Sequence, residues 1–294
     1  MKILAIGETI WDVIGPDEHL GGAPFNFTVH ATRLGHDVTF LSGVGADPRG
    51  SLALEHATRL GIDTAHIQTI PGVPTGTASV ELDAERQPHF EIHRPAAYDH
   101  IGLTETEMAA IRLQRPEWIC FGTLHQVSAQ ARELTRRIID GNPQAGRFYD
   151  INLRPNCFTA DLVKELASLA TAAKLNEHEA HTLADWCGIP GEPTEHFCRQ
   201  AADRFGWQAV CVTRGANGCA MLIAGDYHEA PGVAVKVIDA VGAGDAFSAA
   251  FLHGLAARWD AARAAGFANR VGALVASRPG ATPMWSPEEI EPGG

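Results

Sequence analysis

The chain has 294 residues, 45% apolar and 20% charged, enough for one large domain with a real core, which excludes a predominantly disordered polyelectrolyte. Thirty-five acidic residues against 23 basic ones give a formal charge of −12, and the basic residues form no run beyond Arg136-Arg137, so nucleic acid and acidic membrane surfaces are not expected partners. Six cysteines without a C-x-x-C pair, and an N-terminus that runs straight into an apolar strand, predict a reduced, cytoplasmic protein. The longest uncharged stretch, 118–131, is interrupted by polar residues and falls short of the roughly 18 apolar residues of a membrane span.

Residues 2–7 (KILAIG) read as an apolar strand ending in glycine. After a Gly/Pro-rich loop, Phe25 and Val29, then Phe27, Ala31 and Leu34, fall at helical spacing, and Gly35 supplies a stop. Asp37 to Ser42 reads as the next strand. Strand-like runs recur at 117–121, 147–151, 172–175 and 209–213, most of them separated by helical stretches such as 128–140, 160–170 and 194–205. This alternation predicts a mostly parallel sheet covered on both faces. Residues 9–20 and 75–94 depart from it: period-2 patterning around Asp83-Ala84-Glu85-Arg86 predicts a hairpin, and the two segments together a small β-sheet lid. Helices are expected at 245–257 and 260–277, followed by a Pro/Gly tail. With no internal repeat or low-complexity linker, the expectation is a single α/β domain over 1–294, its lid formed by about 9–20 and 75–98.

Several common motifs are missing. No lysine follows a glycine, so the G-K-[ST] phosphate loop cannot be written on this chain. Gly43-Val44-Gly45 and Gly242-Ala243-Gly244 lack the later glycine of a dinucleotide fingerprint. There is no H-E-x-x-H and no G-x-S-x-G elbow. Among the 14 histidines, His178 and His181 sit three apart on an expected surface helix, a spacing that shares a face whether or not it binds anything.

The most informative segment is 238–247 (IDAVGAGDAF), small residues with bare amides just before an apolar helix. Unsatisfied N–H groups and the helix dipole suit phosphate oxygens or a transition state gaining negative charge. Asp245 reads either as an N-cap or as a base taking a proton from an acceptor hydroxyl. The dipole favours its anion and predicts a low pKa; a weak base suffices when its task is to orient the hydroxyl. The second segment, 21–28 (GGAPFNFT), reads equally as a plain loop with proline in the first helical turn.

With both segments in view, the chain resembles the ribokinase-like sugar kinases, the PfkB carbohydrate kinase family. G-G-x-P-x-N-x-[ST], then Gly35 and Gly45, is similar to the family's first signature, and D-x-x-G-A-G-D-A-F, some 215 residues later, to the second. Between them Asp150-Ile151-Asn152-Leu153-Arg154-Pro155, Asn176-Glu177-His178-Glu179 and Val212-Thr213-Arg214-Gly215 resemble the D-x-N-x-R, N-x-x-E and V-T-x-G motifs, so the resemblance spans essentially the whole chain.

The resemblance implies a three-layer α/β/α fold with a mostly parallel central sheet and a small β lid, and ATP-dependent transfer of a phosphoryl group to a sugar hydroxyl. It implies Asp245 as base and the amides of Gly242, Ala243 and Gly244 as anion hole. Asp12, Gly22 and Asn26 would hold sugar hydroxyls. Asn176 and Glu179 would orient Mg²⁺ and its waters, although N-x-x-E is also an ordinary helix start. Thr213 and Gly215 would lie by the nucleotide and Asn269 near the adenine, unless Asn269 is simply a buried helix residue. Ala23-Pro24, Arg94 in R-x-A-A-x-D and Arg154 in D-x-N-L-R-P are similar to bacterial fructokinases; the arginines would meet the sugar, or else brace the lid (Arg94) and pair with a surface carboxylate (Arg154). Ala240 and Asn176 depart from the usual pattern and leave the subfamily open. The expected reaction is phosphorylation of fructose; ribose, a nucleoside or a keto-sugar acid are alternative acceptors, and a non-catalytic sugar or nucleotide sensor of the same fold is the alternative of another class. A K⁺ site near Asp239 and Gly280, and a homodimer through the free edges of the lid, complete the expectation.

Overall fold

The computed structural model describes residues 1–82 and 88–290, and side chains outside 80–90. In chain order the elements are β1 (Lys2–Ile6), β2 (Ile10–Ile14), β3 (Asp17–Gly21), α1 (Ala23–Arg33), β4 (Asp37–Gly45), α2 (Pro48–Arg59), β5 (Ile67–Ile70), β6 (Gly76–Leu82), β7 (Pro88–His93) and α3 (Glu105–Gln114). They continue with β8 (Trp118–Gly122), α4 (Ala129–Gly141), β9 (Gly146–Asp150), α5 (Ala160–Leu169), β10 (Ala172–Asn176), α6 (Glu177–Cys187), α7 (Thr194–Phe205), β11 (Ala209–Thr213), β12 (Cys219–Ile223), β13 (Asp226–Ala230), α8 (Ala243–Ala256) and α9 (Ala261–Ala276).

A nine-stranded sheet runs β13-β12-β11-β10-β9-β8-β1-β4-β5, parallel except for the β11-β12-β13 edge. Its inner strands are buried on both sides, and successive residues serve opposite cores. Ile3 and Ala5 pack with α1, α8 and α9, whereas Leu4 and Ile6 pack with the layer that includes α4, α5 and α7. Phe251 of α8 is fully buried and meets Phe148 of β9 edge to face at 5.9 Å. Phe251→Ala should cost about 3–5 kcal/mol in chemical denaturation; a loss below 1 kcal/mol would mean this layer is not packed as described.

From β1 the chain adds β4 and β5 on one side and later β8 to β11 on the other, so the order reverses between β1 and β8. In open parallel sheets the crevice beyond the carboxyl ends at such a reversal is where ligands bind. A separate four-stranded sheet, β3-β2-β6-β7, is built from the two segments that broke the alternation. The hairpin turn expected at 83–86 lies outside the described residues, although β6 and β7 on either side pair antiparallel. Among the described residues no helix is long and apolar enough to cross a membrane, and all six cysteines are unpaired.

Candidate active site

At the carboxyl ends of the strands lies a cavity of about 320 Å³. The loops after β1 and β9 bring Glu8, Asn152 and Arg154 to it, β10 and β11 bring Lys174, Asn176 and Thr213, and α8 brings Gly242, Gly244 and Asp245. Asp12 from the small sheet and Gly22 and Asn26 from the start of α1 close the other side. Nine of the residues singled out in the sequence thus share one cavity, although they span positions 12 to 245. Ala243, Arg94, Gly215, Asn269 and Glu179 are not part of its wall.

The anion-accepting turn is built by backbone. Gly242 precedes α8 with φ +77°, and no side chain caps the helix. A Cβ on Gly242 would come within 2.2 Å of the Ala281 carbonyl, so glycine is required both by conformation and by contact. Ala281 is itself held: His30 Nε2–H donates to its carbonyl at 3.0 Å, and the Trp285 indole donates to His30 Nδ1 at 3.0 Å. That pair of bonds fixes a neutral imidazole, in keeping with a pKa that burial lowers to about 4. Arg33 adds bonds to the carbonyls of Thr282 and Pro283. The Ala243 amide folds back on the Ala240 carbonyl at 3.3 Å. Among the described residues the amides of Gly242, Gly244 and Asp245 donate to nothing, which leaves them for a ligand.

Asp245 does not cap the helix. It is the third residue of α8 and accepts a bond from Asn26 Nδ2 at 2.8 Å. The low pKa expected from the helix dipole is not what the site produces: burial, then repulsion from Asp150, raises it to about 6, with Asn26, Lys174 and Arg154 pulling the other way. Half a dipole charge at a helix end is outweighed by desolvation next to a second carboxylate.

Below the turn, Lys174 Nζ lies 3.2 Å from Asp150 Oδ1, and Ser248 Oγ donates to Asp150 Oδ2 at 2.7 Å. Burial pulls the lysine's pKa down, but the carboxylates of Asp150, Glu179 and Asp245 outweigh it and raise the value. Lys174 was not singled out in the sequence, yet a lysine inside an otherwise apolar strand (AAKLN) was the signal. Glu8 was missed too. It is 5% exposed, and among the described residues neither its Oε2 nor Asn26 Oδ1 has a partner. Two orphaned polar atoms beside one cavity are a cost that a ligand would remove.

Asn176 and Glu179 form a capping box: Asn176 Oδ1 accepts from Glu179 N–H at 2.9 Å, and Glu179 Oε2 accepts from Asn176 N–H at 2.8 Å. Glu179 Oε1 also accepts from Leu153 N–H at 2.8 Å, and burial raises the acid's pKa. Arg94 donates to Asp99 at 2.5 Å and to the Leu124 carbonyl at 2.6 Å, so its guanidinium is bound to the segment after β7 and the loop after β8. Arg154 takes part in none of the ion pairs among the described residues. Gly215 opens a short turn whose Ala216 carbonyl lies against Gly232. Asn269 donates to the Pro231 carbonyl at 3.0 Å. These two residues therefore flank the segment after β13, where Val233, Val235, Val237 and Ile238 are 41%, 39%, 60% and 60% exposed. His181 lies 3.3 Å from Glu192, and no cluster of three or more His, Cys, Asp or Glu among the described residues could hold a metal ion.

Bare amides at a helix start, with a buried carboxylate in the first turn of the same helix and a polar cavity beside them, are the arrangement that phosphoryl transfer uses. The model of the pfkB family carbohydrate kinases matches residues 2–288, and the chain belongs to that family. It is a sugar phosphotransferase, with the ribokinase-like α/β fold that the resemblance implied. It is 27% identical to the fructokinase of Escherichia coli over 312 residues, covering 99% of this chain and 98% of that one. It is 26% identical to the aminoimidazole riboside kinase of Salmonella typhimurium, covering 98% and 93%. The crystal structure of fructokinase with bound ATP from Xylella fastidiosa superposes with a TM-score of 0.85 at 25% identity, covering 98% and 96%. A Vibrio cholerae fructokinase double mutant, in a form with fructose, ADP and potassium ion bound, gives 0.79 at 27% identity, covering 96% and 94%.

Proposed function

We propose that this kinase phosphorylates fructose from ATP, with Asp245 as the base. The observation that carries the reading is the juxtaposition, in one cavity, of Asp245, the undonated amides around it and the hydroxyl-binding set Asp12, Gly22 and Asn26. Fructokinases at 25–27% identity over nearly the whole chain support the choice of sugar. Arg154, which lines the cavity, completes the sugar set; Arg94 acts through it by holding the small sheet, which serves as a lid over the acceptor. Excluding water matters because ATP hydrolysis competes with transfer.

In the transfer, Asp245 orients the acceptor hydroxyl and takes its proton as the new O–P bond forms and the bond from the γ-phosphorus to the bridging oxygen of ATP breaks, ADP leaving with that oxygen. The bond from Asn26 fixes the carboxylate's direction. The amides of Gly242, Gly244 and Asp245 meet the charge that develops on the moving phosphoryl group, and Lys174 adds a positive charge beneath them. Ala243, whose own amide is spent, contributes a small side chain that lets the turn close. Thr213 and Gly215 border the nucleotide, and Asn269 holds the exposed valine segment against which the adenine packs.

Mg²⁺ would arrive with the nucleotide, and Glu179, set behind the cavity wall and accepting an amide at each oxygen, would reach it only through water held by its remaining lone pairs. Mg²⁺ takes oxygen ligands and keeps several waters, and when bound it neutralises phosphate charge. Asp239 accepts from the amides of Val241 and Gly280 at 3.0 Å, tying the two loops beside Gly242 and Ala281; we place K⁺ there. The free edges of β3 and β7 suit pairing with a second copy, and six unpaired cysteines suit a cytoplasmic location.

A panel of fructose, ribose, a nucleoside and a 2-keto-3-deoxy sugar acid, read by ADP release, tests the substrate. Fructose should give the highest kcat/KM; a higher value for another acceptor would overturn the assignment. Asp245 must be ionised to act, so kcat/KM should fall about tenfold per unit as pH drops below about 6. A profile flat down to pH 5 would contradict a base with this pKa.

A further inference from the structure

Resting on the kinase reading above, we infer that Glu8 is a sugar-binding residue that accepts a hydroxyl of the acceptor and restricts the site to uncharged sugars. Glu8 follows β1 directly, at the reversal in strand order, and lines both the main cavity and a narrower recess of about 30 Å³ behind it. That recess, walled by Ala5, Phe27, Phe121 and Phe148 among others, has room for about two waters. The carboxyl is thus one of the few polar groups, with Thr123, Asp150, Asn152 and Arg154, on a largely apolar wall.

Its position is enforced. A Cβ on Gly22 (φ +106°) would come within 2.6 Å of the Glu8 carbonyl oxygen and 3.4 Å of its Cγ, so the loop entering α1 lies directly over it. Despite this confinement, Oε2 is buried with no partner among the described residues. The carboxyl takes bonds from its own amide and from that of Ala23 at the start of α1, yet one oxygen is left over at the cavity wall, as in a binding site before its ligand arrives. Burial raises its pKa to about 7, reinforced by Asp245 and opposed by its own amide, by Arg154 and by the Ala23 amide, so near neutral pH the group can accept or donate to a hydroxyl.

The charges around it define the class of acceptor. Glu8, Asp12 and Asp245 share the cavity with Arg154, while Lys174 is committed to Asp150 and Arg94 to Asp99. One available guanidinium against three carboxyl groups repels a carboxylate on the acceptor, whereas sugar hydroxyls donate to these oxygens.

The test compares wild type, Glu8→Ala and Glu8→Gln with fructose and with a 2-keto-3-deoxy sugar acid, alongside calorimetric titration of fructose without nucleotide. The expected result is a fructose KM and dissociation constant raised at least tenfold in Glu8→Ala with kcat changed less than threefold, a smaller rise in Glu8→Gln, and wild-type kcat/KM for the acid at least 100-fold below that for fructose. If Glu8→Ala does not fold, the near-isosteric Glu8→Gln carries the comparison. Fructose phosphorylation with KM unchanged within twofold in the variants would overturn the role of Glu8 and leave the kinase reading standing. A wild type that neither binds nor phosphorylates uncharged sugars, or that prefers the acid, would overturn both, and shows itself before any substitution is made.

Discussion

Replacing Asp245 by asparagine is expected to lower kcat for sugar phosphorylation on the order of 10³-fold while the KM values for sugar and ATP stay within a few fold. The substitution keeps the shape of the side chain and its contact with Asn26 Nδ2, which the amide oxygen can accept. It removes the proton acceptor and its charge. A second consequence separates loss of chemistry from loss of structure. Because burial raises the carboxyl's pKa to about 6, the folded protein binds that proton more tightly than the unfolded chain. The resulting stabilisation is full below pH about 4 and is lost as pH rises through about 6, leaving an ionised, poorly solvated group at pH 8. Asparagine carries no such charge, so the variant should be more stable than wild type at pH 8 by about 1–2 kcal/mol. Steady-state kinetics and denaturant unfolding of the same preparation check both; turnover within tenfold of wild type would dismiss Asp245 as the base.

Lys174→Met is expected to damage both the fold and the reaction. The ammonium is 8% exposed and balances Asp150, Glu179 and Asp245. Taking away one partner of a buried pair leaves an uncompensated charge and costs about 3–5 kcal/mol. It also removes one of the cations that hold the Asp245 pKa down. The acid limb of the kcat/KM profile should therefore move upward by about one unit. A purely structural lysine would lower stability without moving that limb.

Much of this site could be read from the chain because its chemistry is backbone chemistry. Gly242-Ala243-Gly244 before an apolar helix, and Gly21-Gly22 before Pro24, are turns that announce bare amides, and the parallel sheet follows from runs such as KILAI and AVCVT. What could not be read was tertiary. Asp150 and Lys174 stand 24 positions apart and become an ion pair only when β9 and β10 align. Gly7-Glu8-Thr9 looks like an ordinary strand end, and its significance comes from the loop that Gly22 lays over it. The pKa of Asp245 went the other way from the dipole argument because no sequence pattern reports burial beside a second carboxylate. The β12–β13 hairpin went unread since its turn is Ala224-Gly225, both at positive φ, where asparagine or aspartate before glycine would have marked it. Asp47 and Pro48 start α2 as cap and first-turn proline, a signal obscured by Gly50 and Ser51 behind them.

A crystal structure with fructose and a non-hydrolysable ATP analogue addresses the arrangement at its centre. The expected complex has a primary hydroxyl of the sugar within hydrogen-bonding distance of an Asp245 carboxylate oxygen, and the terminal phosphate on the amides of Gly244 and Asp245. A terminal phosphate bound away from that turn, or a sugar whose hydroxyls all lie beyond reach of Asp245, would contradict it.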